Sequence, residues 1–320
     1  MILHQNNNLF RQAVQVTAEE LQMAPEFVEK DYWICQILQN LSRHRYAEKI
    51  VWKGGTSLSK AYGIIKRFSS DVDFAILAEG LSQNQQKKLI TRIGHDITEE
   101  LTEMDMVETI KNNRFRKTFH SYESVIRQRN SRYNFLGNHV TVEINTYGNP
   151  YPYVQRSVHS FIAEMMERRE RTDMLKEMDM APFIINVLDK RRTLCEKVVS
   201  LLRFSFEDDP VKGLVSKVRH FYDLYYLMKD EACRDYLKTD FRAELAALIA
   251  HDKESFDRPP LWRRSELSSS VLLAGFDTVW DKVAPVYLTE VGALSYGEIP
   301  EPNEVADVLK GLMREVQEVL

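Results

Sequence analysis

Asp71 and Asp73 are the acidic residues whose types and spacing best suit chemistry in this sequence. Apolar and other residues alternate from Asp71 to Leu77, and this pattern predicts a β-strand with both aspartates on the same face. Two carboxylates on one face suit a divalent cation such as Mg²⁺ or Mn²⁺. Surface strands also carry alternating acids on their solvated side, so the spacing alone is a weak signal.

Glu143 is the third candidate acid, because the segment 140–145 repeats the same alternation and places this carboxylate opposite an apolar face. Neighbouring carboxylates repel one another unless cations lie between them. Two metal ions about 3.5 to 4 Å apart are a common arrangement in phosphoryl transfer. We therefore expect Asp71, Asp73 and Glu143 to bind metal. In a phosphoryl transfer, Glu143 would also help to deprotonate the hydroxyl group that attacks the phosphate. A solvated strand position is the alternative for Glu143.

Gly54 and Gly55 lie between a short apolar strand that ends near Trp52 and a predicted helix. Such a turn lets the backbone approach a phosphate closely at the start of a helix, although most Gly-Gly turns serve geometry alone. Lys60 or Arg67 could add positive charge, a solvated helix face being at least as good an explanation, and the role of Lys53 is left open. The residues expected to hold the β- and γ-phosphates of a nucleoside triphosphate are Gly54, Gly55, Thr56 and Ser57.

The elements around these residues change character near Pro152. Before it, short predicted strands mix with helices, including one long polar-faced helix over 81–106 and weak strands or a hairpin over 114–134. After it, helical patterns dominate, and 183–188 is either a short strand or an extended link. We expect one domain over 1–152 and a mainly helical domain over 153–320.

The composition restricts the class of protein. The chain of 320 residues has no run near the roughly 20 apolar residues of a membrane span, so we expect a cytoplasmic protein without a membrane partner. Its three cysteines indicate reduced thiols. A net charge of −4 argues against a general nucleic-acid coat, so any RNA contact must be local. Basic clusters that could contact RNA include 111–117 and the group Arg127, Arg129, Arg132, Tyr133 and Phe135.

Several motifs in this sequence resemble those of the AbiEii family of bacterial toxins, which are DNA polymerase β-like nucleotidyltransferases. The resemblance spans most of the chain. The 15 residues between Gly55 and Asp71 suit this branch, although they exceed the usual spacing of the wider superfamily. The wider superfamily commonly has Gly-Ser at the turn, so here Thr56 or Ser57 would supply any hydroxyl. The similar segments are 54–58, 67–73, 29–32, 143–145, 192–197 and 219–224.

The resemblance implies an α+β protein. Its N-terminal polymerase β-like domain would contain a mixed sheet flanked by helices, and its C-terminal domain would be mainly helical. It also implies a metal-dependent enzyme that uses a nucleoside triphosphate (NTP), often encoded beside an antitoxin in a type IV pair. Some relatives transfer nucleotides to the acceptor end of tRNA. It further adds Lys197, which would reach the triphosphate, and Asp223, which would orient it. An ordinary Lys-Asp pair between packed helices is the alternative.

A rival hypothesis is a catalytically inactive nucleotide-binding or partner-binding module with the same fold. The intact set of three acids argues against it, because a site without turnover has no need to keep repelling carboxylates together. A purely structural helical adaptor would account for the second half of the chain only.

Overall fold

Apolar alternation in the first half of the chain produces one mixed β-sheet. The computed structural model describes residues 2–128 and 130–318. They divide into two units, the first of which contains the chain up to Tyr62 together with Phe68–Leu188. The strands of its sheet are β1 (Ile50–Lys53), β2 (Asp71–Ile76), β3 (Thr102–Met104), β4 (Ile110–Lys111), β5 (Phe115–Ser121), β6 (His139–Asn145), β7 (Tyr153–Val158) and β8 (Phe183–Leu188).

The strand order is β3-β5-β6-β2-β1-β8-β7, with β4 paired to β5. β2 runs parallel to β6 and β1 runs parallel to β8, whereas the other pairs are antiparallel. One face of the central strands is fully buried, and each of its large apolar side chains contributes about 1.5 to 3 kcal/mol relative to exposure. These side chains are Val72, Phe74, Ile76, Val140, Val142 and Ile144.

Six α-helices complete the described part of the first unit, and three of them, α2 (Pro25–Arg43), α3 (Gly54–Lys60) and α4 (Gln83–Ile97), contact the sheet. Pro25 occupies the first turn of α2, where its missing N–H costs nothing. Ser82 caps α4 through a reciprocal capping box with Gln85. The helices are α1 (Asn7–Leu21), α2 (Pro25–Arg43), α3 (Gly54–Lys60), α4 (Gln83–Ile97), α5 (Phe161–Arg168) and α6 (Thr172–Glu177).

Three features of the first unit differ from the sequence predictions. The helix predicted over 81–106 ends at Ile97, and its last part is strand β3. The segment 153–158 is a strand rather than the start of a helical region, and 183–188 is a strand, the first of the two alternatives given for it. Because β8 pairs with β1 and β7 pairs with β8, the first unit continues to Leu188 instead of ending near Pro152.

The second unit is helical and contains Gly63–Arg67 together with the chain from Asp189 onward. The short segment belongs here because Tyr222 and Ser295 hydrogen-bond to the backbone of Lys66. Proline stands at the N-terminal turn of two of its helices, α8 and α14. The helices are α7 (Lys190–Phe204), α8 (Pro210–Val215), α9 (Val218–Lys229), α10 (Glu231–Leu237), α11 (Phe241–Ser255), α12 (Val271–Ala274), α13 (Phe276–Leu294) and α14 (Pro302–Gln317).

Candidate active site

Four charged residues form a row across four neighbouring strands on the open face of the sheet. The strand register aligns Lys53 with Asp73, Asp73 with Glu143, and Glu143 with Lys117. Aligned residues on adjacent strands point to the same face, and such strands lie about 4.8 Å apart. The row therefore places two carboxylates side by side with one lysine at each end. Asp71 lies on the same strand face as Asp73, as the sequence predicted.

Gly54 brings the turn after β1 into direct contact with this row. Its φ of +84° is in the left-handed region, which side chains other than glycine rarely adopt. A β-carbon at this position would also overlap the Asp73 carboxylate, which reaches the turn backbone through Oδ2. The turn and the acid thus lie close together, and only glycine satisfies both requirements at this position.

Lys117 closes the row through an ion pair with Glu143, and its Nζ lies 2.9 Å from Oε1. Burial alone would lower the pKa of Lys117. The hydrogen bond to Glu143 and the charges of Glu143, Asp71 and Asp73 act in the opposite direction, and the net result is a raised pKa. The ammonium of Lys117 is therefore held charged by three acids, and it offsets part of their mutual repulsion.

The hydroxyl groups of Thr56 and Ser57 fix the shape of the turn. Thr56 Oγ1 donates a hydrogen bond of 2.5 Å to the Asp71 carbonyl, and Ser57 Oγ donates one of 2.9 Å to the Gly54 carbonyl. Both side chains are buried. Because their protons are used within the protein, a phosphate at this turn would rely on backbone N–H groups more than on the hydroxyl donors that we expected.

Asp71 and Asp73 have the side chains and the placement to bind a magnesium ion that the substrate also binds. Mg²⁺ is usually held by one or two carboxylates together with phosphate oxygens and waters, and this pair shares one face beside the turn. The expected three-carboxylate site is not preformed, however. Within residues 2–128 and 130–318, no three His, Cys, Asp or Glu side chains are gathered as a metal-binding group. The reason lies in Glu143, whose carboxylate is bound to Lys117.

Lys60 lies in a buried ion pair instead of at the acidic row. Its Nζ is 2.5 Å from Asp31 Oδ1, and its side chain is only 6% exposed. The same ammonium lies 4.1 Å from the ring centroid of Phe161. Burial raises the pKa of Asp31, although Lys60 opposes this effect. Lys60 therefore anchors the end of α3 to α2, and this position does not support its expected contact with a phosphate.

The neighbours of Asp31 on α2 also bind structural elements of the first unit. Glu29 accepts hydrogen bonds from Ser124 Oγ and from the backbone of Val125, at 2.7 and 2.6 Å. Lys30 donates to the Leu136 carbonyl. Charged side chains are this deeply buried only when they have partners. The motif at 29–32 is therefore a support for the loop between β5 and β6 and for α3.

In the second unit, Asp223 is the centre of a buried cluster with Arg67 and Lys197. Arg67 Nε and one terminal nitrogen donate to the two Asp223 oxygens at 2.7 and 2.6 Å, and Lys197 Nζ lies 2.7 Å from Oδ2. Burial would raise the pKa of Asp223, but the two cations outweigh this and hold it well below its usual value. Two cations therefore share one buried carboxylate in this cluster.

The cluster bears on the expectations for Arg67 and Lys197. Arg67 is committed to Asp223 through a bidentate pair, so its position does not support the expected contact with a phosphate. Lys197 and Asp223 form an ion pair between the packed helices α7 and α9, as in the alternative considered for them, and the pair is buried.

Lys53 and Lys117 are the site residues that sequence reasoning did not assign. Lys53 was noted without a role, and Lys117 appeared only as the end of a basic cluster. The alternation of Phe115, Lys117 and Phe119 with buried Arg116 and Thr118 could have indicated which face Lys117 occupies. Its alignment with Glu143 depends on long-range strand pairing. Of the second basic cluster, Arg129 lies outside the described residues.

No α-helix in the described part of the chain is long and apolar enough to cross a membrane.

A search of curated proteins found no match. Among solved structures, MenT4, a nucleotidyltransferase toxin from Mycobacterium tuberculosis H37Rv, is similar with a TM-score of 0.49 and 16% identity. The match covers 96% of this chain and 97% of that chain. The family described as nucleotidyl transferase AbiEii toxin, Type IV TA system, matches residues 36–292. This match covers well over half of the sequence, and the chain therefore belongs to the AbiEii family of nucleotidyltransferase toxins.

Proposed function

We propose that this nucleotidyltransferase transfers a nucleoside monophosphate from an NTP to an acceptor, and that the acceptor is RNA, such as the 3′ end of tRNA, in preference to protein. It acts in the cytoplasm as the toxin of a type IV pair and is neutralised by an antitoxin. The observation that carries this proposal is the charged row across β1, β2, β6 and β5, which brings Asp73 and Glu143 together beside Gly54.

Asp71 and Asp73 are the proposed ligands of Mg²⁺ or Mn²⁺, and the triphosphate completes the coordination. A bound metal neutralises charge that develops on the phosphates and orients the leaving group. Glu143 adds the third carboxylate when Lys117 releases it. It is then placed to accept a proton from the acceptor hydroxyl.

The turn from Gly54 to Ser57 holds the β- and γ-phosphates through its backbone. The support for this is the close approach of Gly54 to Asp73, since phosphates bound by the acid's metal must lie next to the turn. Thr56 and Ser57 keep the turn rigid through their hydrogen bonds. Rigid positioning of this kind is the main contribution that a protein makes to phosphoryl transfer.

Lys197 and Asp223 complete the proposed catalytic set from the second unit. Asp223 holds Lys197 in place, and Lys197 contacts the triphosphate as a point charge. Arg67 and Lys60 support the structure through their buried ion pairs.

The test is a label-transfer assay. The purified protein is incubated with Mg²⁺, each α-labelled NTP in turn, and total RNA, and the label is followed into RNA, protein and free products. We expect label on RNA, in the tRNA fraction, only when divalent metal is present. Label on protein alone would contradict the proposed acceptor, and the absence of any transfer with every NTP would contradict the proposed reaction.

A further inference from the structure

A basic cleft opens at the end of β6, outside the charged row. It has a volume of about 490 Å³ and lies between the start of α4, the β4–β5 turn and the segment after β6. Its described lining contains three cations and no carboxylate. The lining residues that matter here are Lys87, Lys111, Arg114, Asn112 and Tyr147.

The cations of the cleft are available to a ligand at the surface. Lys87 and Lys111 are exposed and Arg114 is partly exposed. Lys111 also pairs with Glu103 at 2.5 Å, but Glu103 is shared with Arg116 at 2.8 Å, so this group of three keeps a positive charge. The cleft therefore favours a polyanion.

Aromatic rings accompany the cations. The Arg114 guanidinium carbon lies 4.9 Å from the centroid of the Tyr147 ring, and the Phe115 ring lies 6.2 Å from Tyr147. Stacked aromatic and guanidinium groups bind unpaired bases, whereas a cleft for a simple anion or a lipid headgroup needs no such surface.

The cleft lies just beyond the ends of β5 and β6, the two strands that hold Lys117 and Glu143. Phe115 and Asn145 are aligned, and both lie two residues along their strands from the aligned pair Lys117 and Glu143. Tyr147 follows Glu143 by four residues, which corresponds to at most about 13 Å of chain. A strand of nucleic acid in the cleft could therefore extend a few nucleotides to the acids.

We infer that this cleft binds single-stranded RNA next to the reactive end of the acceptor, with Lys87, Lys111 and Arg114 on the phosphates and Tyr147 stacked on a base. This inference rests on the proposed function, since it assigns the surface on which that reaction's acceptor lies.

Direct RNA binding tests the cleft without requiring transfer. Fluorescence anisotropy would follow a labelled single-stranded RNA and a duplex of the same sequence, at several salt concentrations, without NTP. The variant K87E/R114E, which reverses two charges, is compared with K88E, which reverses one charge at the residue after Lys87, an exposed lysine outside the cleft lining.

We expect K87E/R114E to weaken single-strand binding by at least about tenfold and to flatten the dependence of log K on log salt by about one to two units. K88E should bind within about twofold of the unchanged protein. Tyr147→Ala should reduce the preference for single strand over duplex by about fivefold or more.

Equal losses of RNA affinity in K87E/R114E and K88E would contradict RNA binding in the cleft, because they would show only a general charge effect. Unchanged binding in K87E/R114E would overturn it as well. If the protein binds RNA through the cleft but transfers no label, the proposed reaction is contradicted and the RNA-binding role of the cleft is supported. If it transfers label to RNA while K87E/R114E leaves both binding and the acceptor KM unchanged, the cleft fails and the reaction stands.

Discussion

Asp73 and Glu143 are aligned in a parallel pair of strands, so their side chains leave the same face of the sheet from backbones about 4.8 Å apart. Two like charges at such neighbouring positions destabilise each other unless a cation is near. Lys53 and Lys117, aligned at the two ends of the row, supply that charge within the protein. The charges of the protein itself therefore hold the two acids of the row side by side.

Gly54→Ala should strongly reduce transfer while the protein remains folded. The change adds a β-carbon that overlaps Asp73 and forces alanine to a φ of +84°. Gly80→Ala is the matched control, since Gly80 has a φ of +76° and nothing within 4 Å of the added carbon. Both variants should lose about 1 to 2 kcal/mol of stability, measured by urea unfolding. Transfer should fall at least about tenfold in Gly54→Ala alone, and an active Gly54→Ala protein would disprove the close approach.

Lys117→Met should strengthen metal binding, because it frees Glu143 from its ion pair. The rise in melting temperature on adding Mg²⁺ or Mn²⁺ should be larger in this variant than in the unchanged protein. Without metal the variant should be less stable by up to about 1 kcal/mol, as expected for a partly exposed pair. Lys88→Met, at an exposed lysine outside the charged row, should show neither effect. A metal-induced shift that does not change in Lys117→Met would show that Glu143 takes no part in metal binding.

Lys197→Met should weaken NTP binding, whereas Asp223→Asn should lower the stability of the fold. Without Lys197, Arg67 and Asp223 remain a balanced bidentate pair, so the fold should persist while NTP binding weakens at least about tenfold. Without the Asp223 charge, two buried cations lose the carboxylate that they share, which should cost about 3 to 5 kcal/mol of stability. Asp235→Asn is the control at an exposed pair and should change stability by less than about 0.5 kcal/mol. Calorimetry and NTP titration would measure the two effects. A fully stable Asp223→Asn protein would contradict the cluster.

The stability of the protein should also depend on pH through Asp223. Its pKa in the folded protein lies below the ordinary value of 3.8, so the unfolded chain binds more protons in the interval between the two values. The stabilisation is therefore complete above the ordinary pKa and is lost as the pH falls below it. The free energy of unfolding should decline less steeply below about pH 4 in Asp223→Asn than in the unchanged protein. Parallel declines would exclude this residue as a source of the acid sensitivity.

Local patterns predicted the strand with Asp71 and Asp73, the Glu143 strand and the glycine turn, because alternation and turn residues act over a few positions. They could not predict that Lys53 and Lys117 flank the acids, since strand register joins residues far apart in sequence. The same limit explains why β7 and β8 were not placed in the sheet. Lys60 and Arg67 likewise have buried partners, Asp31 and Asp223, that lie far from them in the sequence.

The most direct test of the metal site is label transfer by Asp73→Asn beside Asp105→Asn, an exposed aspartate of the first unit outside the row. Both proteins should keep a melting temperature within a few degrees of the unchanged protein. We predict that Asp73→Asn lowers transfer from α-labelled NTP to RNA by about 10²-fold or more at saturating Mg²⁺, whereas Asp105→Asn keeps full activity. Full transfer by a folded Asp73→Asn protein would contradict the assignment of the active site.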